Sequence, residues 1–206
     1  MSKTFIISDL HFGHKNILKY ENRPFESIEE MDKAIVKNWN QAVSNDDTVI
    51  VAGDVSFYNK IKTTEVIQSL RGNKILVLGN HDRWAIKYWM DIGFDEVYKH
   101  PLIYQEWFIV RHTPPHYYNE GTPYAYLYGH VHGCELYPTV SRQSACVCAE
   151  RWNYSPVDLE VIKEMMKSAG ENTGPNFLDE EWAARYQEYR NIRNENRHKV
   201  DENQTE

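Results

Sequence analysis

Aspartate, asparagine and histidine stand at the ends of apolar runs in this chain, where a metal site on a sheet edge would need them. Residues 74–78 end in Gly79-Asn80-His81-Asp82, which sets an amide, an imidazole and a carboxylate side by side. Residues 5–7 lead to Asp9 and His11, 48–51 to Gly53-Asp54, 107–110 to His112, and 125–128 to Gly129-His130-Val131-His132. Short apolar runs of this kind read as buried strands, and the carboxyl ends of strands in an α/β sheet are where a ligand crevice forms. Six of the nine histidines (His11, His14, His81, His112, His130 and His132) lie in these turns. A chain has little structural reason to gather them there unless imidazoles serve as ligands or as acid and base.

Taken singly, each residue has a plainer reading: Asp after a strand caps helices, and Gly-Asp or Gly-Asn makes turns. Together, Asp9, His11, Asp54, Asn80, His112, His130 and His132 offer seven oxygen or nitrogen donors. That is too many for a four-coordinate ion and right for two five- or six-coordinate ions completed by water. Asp54 is the expected bridge. Two cations about 3.5–4 Å apart can hold the attacking and leaving oxygens of a phosphoryl displacement. His116, beyond Pro114-Pro115, competes with His112 as a ligand; His112 is preferred because it sits directly at a strand end.

The elements that must carry these turns follow from periodicity. A strand over 5–8 is followed by a short helix over 16–20. Ser27-Ile28-Glu29-Glu30 fits a capping box opening a helix over 28–43, whose face is Ile28, Met31, Ile35, Trp39 and Val43. A strand over 48–52, a helix over 63–70 closed by Gly72 and a strand over 74–78 give a βαβ rhythm. A helix over 84–92, short strands near Val97 and Ile103, and strands from Trp107, from Ala125 and over 144–149 come next. Pro156 in the first turn predicts a helix over 157–166. Residues 1–170 read as one domain. Residues 171–206 read as a polar extension with one amphipathic helix, Leu178, Trp182, Tyr186 and Tyr189 forming its stripe, and a disordered end over 194–206.

Composition narrows the function. The chain has 206 residues, 41% hydrophobic and 26% charged, with no run near the roughly 20 apolar residues of a membrane span. Its start enters a strand pattern without a leader pattern, so a cytoplasmic protein is expected. The net charge of -7 argues against a surface built for duplex nucleic acid. Cys134, Cys146 and Cys148 are expected as reduced buried thiols.

Asp9-Leu10-His11, Gly53-Asp54, Gly79-Asn80-His81-Asp82, His112 and Gly129-His130-Val131-His132, in this order over residues 5–150, resemble the motifs of the calcineurin-like metallophosphoesterases. His11-Phe12-Gly13-His14-Lys15-Asn16 and Asn22-Arg23-Pro24-Phe25 are similar to the wording of the small stand-alone bacterial and phage members. The resemblance implies an α/β fold, a four-layer α/β/β/α sandwich with a dinuclear metal site at the carboxyl ends of the strands. It implies that Asp9, His11, Asp54 and His132 hold one metal and Asp54, Asn80, His112 and His130 the other. His81 would be the general acid for the leaving oxygen, with Asp82 orienting it. The residue before the fourth-motif histidine is small in the family and is Arg111 here; strand alternation turns it away from the site.

His14, Arg23 and Arg83 are candidates for substrate phosphate, and Tyr117, Tyr118 and Tyr124 for stacking on a flat group. The cofactors expected are two divalent metal ions, manganese first, with iron, zinc or nickel as alternatives, because the donors are mixed and lack thiolate. The expected activity is hydrolysis of a phosphate ester by direct attack of a metal-bound hydroxide, on a small phosphodiester or nucleotide. A phosphomonoesterase or protein phosphatase is the alternative enzyme. A catalytically inactive binding module of the same fold would show lost ligands or a replaced His81. Partners beyond the small substrate and the oligomeric state are not expressed in these patterns.

Overall fold

The computed structural model describes residues 2–115 and 124–169. In chain order the elements are β1 (Thr4–Ile7), α1 (Ile17–Tyr20), α2 (Ile28–Ala42), β2 (Thr48–Val51), α3 (Lys60–Ser69), β3 (Asn73–Val77), α4 (Ile86–Asp91), β4 (Glu96–Tyr98) and β5 (Leu102–Tyr104). Then follow β6 (Phe108–Arg111), β7 (Ala125–Tyr128), β8 (Val140–Ser141), β9 (Ser144–Cys146), a 3-10 turn over Ala149–Trp152, β10 (Val157–Asp158) and α5 (Leu159–Ser168). They build two five-stranded sheets, ordered β10-β1-β2-β3-β4 and β5-β6-β7-β9-β8. The central strands of each run parallel, which places their carboxyl ends on one edge.

Strand alternation makes the layers. Ile6, Ile50, Ile75 and Val77 face the second sheet and pack on Phe108, Val110, Leu127 and Ala145. Their neighbours Phe5, Ile7, Val49, Val51 and Leu76 point the other way, onto Met31, Ile35 and Trp39 of α2, Ile67 of α3 and Trp89 of α4. Trp39 and Trp89 are fully buried, each contributing about 1.5–3 kcal/mol or more by removal from water. The far face of the second sheet carries Tyr128 and Cys146, covered by Val131, Cys134 and Tyr137. This is the layered α/β sandwich implied by the motifs.

The first half of the expected α2 capping box forms, Ser27 Oγ accepting from Glu30 N at 3.1 Å, while the Glu30 carboxylate reaches one residue further back and accepts from Glu26 N at 2.8 Å. α3 starts earlier than its apolar pattern indicates, because Asn59 accepts from Lys62 N and caps it at Lys60. The region after Pro156 departs more. Val157 and Asp158 extend the first sheet as an antiparallel edge strand against Ile6 and Phe5, and Asp158 caps α5 through Glu160 N. Burial of Val157 on a sheet edge overrides the proline's helix-opening preference.

After β9 the chain crosses between the sheets. Val147 N donates to Tyr128 O, while Ser8 N donates to Val147 O and Ala149 N to Ser8 O. That crossing brings Cys148 and Glu150 to the end of β1. No helix among the described residues is long and apolar enough to cross a membrane. The amphipathic stripe from Leu178 to Tyr189 and His116, Tyr117 and Tyr118 lie outside the described residues.

Candidate metal centre

The ladder between β1 and β2 continues past the strand ends, with Asp9 N on Gly53 O, His11 N on Asp54 O and Phe12 N on Val55 O at 3.0 Å each. Two polar turns are thereby laid side by side. Asp9, His11, Asp54, His130 and His132 all hold φ between 48° and 72°. A side chain in this left-handed region costs about 1–2 kcal/mol per residue, and five such residues at one edge mark a site whose geometry overrides local preference. Glycine is required where the turns meet. A Cβ on Gly79 would lie 2.2 Å from Asp54 Oδ1, and one on Gly129 would lie 1.9 Å from Ser8 Oγ and 2.3 Å from Asp9 Oδ2.

The seven donors are brought together. Asp9 Oδ1 lies 3.6 Å from His11 Nε2 and 3.5 Å from His132 Nε2. Asp54 Oδ2 lies 3.7 Å from His11 Nε2 on one side and 3.3 Å from His112 Nε2 on the other, the position of a bridge. Asn80 Oδ1 lies 2.9 Å from both His112 Nε2 and His130 Nδ1. Asp9, His11 and His132 form one group of ligand atoms within 4.8 Å of one another, and Asp9, Asp54 and His112 another.

These residues fit divalent cations on their own terms. Asp9 Oδ1 and both His11 nitrogens are buried without a hydrogen-bond partner among the described residues, which is costly unless an ion uses them. The opposite carboxylate oxygen, Asp9 Oδ2, is committed to Ser8 Oγ, His130 N at 2.9 Å and Cys148 Sγ at 3.3 Å, so Oδ1 alone faces inward. Burial disfavours the charged form of His112, but the Asp54 carboxylate bonded to it and the Asp9 charge outweigh this and push its pKa up to about 9. His132 follows the same pattern, with Glu150 and Asp9 raising it to about 9 against burial. His11 and His130 are held down at about 4, by burial first. The centre therefore gathers positive charge on two of its rings, where a metal would supply it instead.

His81 stands apart from the ligand rings. Its side chain is 32% exposed against 3–4% for His11, His112 and His132, and its Nε2 lies 3.9 Å from Asp54 Oδ2. Its backbone N–H fixes Asp54 Oδ1 at 2.9 Å. Asp82, expected to orient this imidazole, is placed on the backbone: its carboxylate accepts from Asp54 N, Val55 N and Gly79 N at 2.8–2.9 Å. Burial raises its pKa to about 6 against those three donors. The reason is the close stacking of the two turns, which aims these three amides at one carboxylate.

Arg23 also departs from its expected place at the substrate. It is 4% exposed, with Nε and Nη2 on Glu150 Oε1, Nη2 on Asp9 O at 2.7 Å and Nη1 on Leu10 O at 3.1 Å. A guanidinium so occupied does not reach the opening. Arg83 is exposed just after His81, and His14 is half-buried with its ring stacked on Phe57 at 3.9 Å. Phe57, 39% exposed, also lies 4.8 Å from His81. Arg111 turns to its own Thr113 Oγ1 at 2.9 Å and leaves His112 inside. Tyr124 is half-buried just before β7.

The calcineurin-like phosphoesterase family profile matches residues 2–130. The chain belongs to the calcineurin-like phosphoesterase family. It is 37% identical over 173 residues to an uncharacterised protein of Methanocaldococcus jannaschii, covering 81% of this chain and 93% of that one. The gene 66 protein of Mycobacterium phage L5 is 40% identical over 85 residues, 40% of this chain and 41% of the phage protein. The crystal structure of a protein of unknown function from Aquifex aeolicus shares the fold, with a TM-score of 0.61 and 23% identity over 80% of this chain and 100% of that one. Family and ligand cluster together make the chain a metal-dependent phosphoesterase with a divalent-metal site.

In this phosphoesterase, the motifs did not point to Ser8, Phe57, Cys148 or Glu150. Glu150 ends the apolar run over 144–149 as other ligands end theirs, so the strand-end pattern carried a signal for it. Cys134, Cys146 and Cys148 are buried and form no disulfide among the described residues, as expected of reduced thiols.

Proposed function

We propose that the chain hydrolyses small phosphodiesters or nucleotides by direct attack of water on phosphorus, without a phospho-enzyme. The observation that carries this reading is the placement of Asp54 Oδ2 between two sets of donors, with the more exposed His81 beside it. Two divalent ions bound there supply positive charge for the nonbridging oxygens and acidify water. The donors are carboxylate, amide and imidazole, and Cys148 Sγ bonds Asp9 without entering the ligand cluster, a set that suits manganese, iron, zinc or nickel, with manganese the first choice.

The chain's own groups do the rest. A new bond from the water oxygen to phosphorus forms as the bond to the leaving oxygen breaks. The water gives up its proton to solvent, and His81 hands its proton to the departing alcohol oxygen. Ser8 Oγ is occupied by Asp9 and by Ala52 O at 2.8 Å, which supports water as the nucleophile. His14, held at about 3 by burial first and by neighbouring His11, meets the phosphate as a neutral imidazole, and exposed Arg83 meets it as a cation. The net charge of -7 supports a small substrate over duplex nucleic acid. A cytoplasmic location belongs to the same proposal, supported by three buried cysteines that form no disulfide among the described residues.

The test is a screen of manganese-loaded protein on nitrophenyl phosphomonoesters and diesters, phosphopeptides, linear dinucleotides and cyclic nucleotides. Diesters are expected to turn over fastest. Faster turnover of a monoester or phosphopeptide overturns the diester preference, and no turnover with both metals bound makes the fold a binding module.

A further inference from the structure

One carboxylate oxygen outside the seven donors joins two strands' worth of ligands. Glu150 Oε1 lies 3.0 Å from His132 Nδ1 and accepts Arg23 Nε at 2.8 Å and Nη2 at 2.6 Å. The same Nη2 donates to the carbonyl of Asp9 at 2.7 Å, and Nη1 to that of Leu10 at 3.1 Å. The Arg23 side chain is 0% exposed and that of Glu150 9%. Asp9 and His132 thus belong to one buried network, although they end strands of different sheets. Among the described residues no carboxylate plays this role behind His112: its Nδ1 meets the backbone carbonyl of Ala52 at 2.8 Å.

We infer that Glu150 and Arg23 are positioning residues that selectively strengthen the metal position held by Asp9, His11 and His132, making the two positions unequal. The inference rests on the dinuclear reading above. A carboxylate accepting the Nδ1–H of His132 fixes the tautomer that leaves Nε2 free toward Asp9 Oδ1 and raises the basicity of the ring. A backbone carbonyl behind His112 fixes its tautomer but adds no charge. Arg23 pairs with Glu150 in a buried place and ties it to the Asp9 backbone, so the positions of Glu150, His132 and Asp9 depend on the same ion pair.

The test is calorimetric titration of metal-stripped protein with manganese, with melting curves of each stripped variant as the check on folding. Wild type is expected to bind in two steps of different affinity. Glu150→Gln is expected to weaken one step about 10–100-fold and the other less than about threefold, the loss typical of a second-layer partner. Arg23→Lys is expected to weaken the same step by less, since one ammonium replaces the contact to Glu150 and loses the carbonyls. Arg23→Met with Glu150→Gln removes both charges and keeps the test valid if the single variant leaves a lone buried cation and melts early. His112→Ala is expected to weaken the step that Glu150→Gln spares. Equal weakening of both steps, or none, in a folded Glu150 variant overturns the inference while leaving two metals in place. A wild-type stoichiometry of one ion per chain overturns the dinuclear reading, and two ions bound in a single step overturn the inequality of the two positions.

Discussion

His112 Nε2 faces Asn80 Oδ1 at 2.9 Å while His112 Nδ1 faces the Ala52 carbonyl at 2.8 Å. Both ring nitrogens therefore meet oxygen acceptors. A neutral imidazole has one N–H and satisfies one of them; a second ring proton, or a cation shared with Asn80, satisfies both. Without metal the proton is favoured, since the pKa stands at about 9.

Metal affinity should therefore depend on pH. His112 and His132, both raised to about 9, are protonated at neutral pH in the stripped protein, and a metal has to displace those protons. Affinity is expected to rise from pH 7 to 9, by up to about tenfold per proton displaced per pH unit, and calorimetry in buffers of different ionisation enthalpy would count the protons released. The stripped fold should behave oppositely. Groups raised above their unfolded value of about 6.5 stabilise fully below that pH and lose the contribution as pH rises through about 9, so the melting temperature of stripped protein should fall over that window.

Asp54→Asn should damage both metal positions together. Its Oδ1 is held by His81 N at 2.9 Å, so an amide oxygen retained there turns the new NH2 toward His11 and His112, where a cation would sit. His11→Ala should weaken chiefly one position. Elemental analysis of wild type under saturating manganese is expected to find close to two ions per chain, as the proposed sharing of Asp54 requires. Equal selectivity of the two variants would mean that Asp54 is not shared.

Histidine 81 should matter for the leaving group. His81→Ala is expected to keep its metals and lose on the order of 10²–10⁴-fold in turnover on an alkyl or nucleoside ester, with a much smaller loss on a nitrophenyl ester whose oxygen departs unprotonated. Equal losses on both esters would assign it to charge stabilisation, and loss of metal would make it a ligand.

Asp82 should matter first for stability. Removing its carboxylate in Asp82→Ala strands the N–H groups of Asp54, Val55 and Gly79, at a cost of about 3 kcal/mol or more. Denaturant unfolding of the metal-stripped variant measures that loss apart from catalysis. If stability is unchanged while the leaving-group dependence shifts as in His81→Ala, Asp82 acts through His81 after all.

The sequence by itself determined the strand ends and the residue types on them. Continuous apolar runs and the glycine turns after them are local, and they set Asp9, His11, Asp54, Asn80, His112, His130 and His132 at strand ends. It also determined the helix faces, because Met31, Ile35 and Trp39 follow a single period. Only the tertiary structure decided what the second oxygen or nitrogen of each group does. Arg23 meets Glu150 127 residues away, Asp82 meets the Asp54 amide 28 residues away, and Cys148 meets Asp9 139 residues away. Local periodicity carries no information on such distant pairs; they follow from the chain crossing between sheets at Val147–Ala149 and from buried amides and carbonyls that must find partners. The same competition turned Val157 into an edge strand, since pairing with Ile6 satisfied a backbone that Pro156 alone would have sent into a helix.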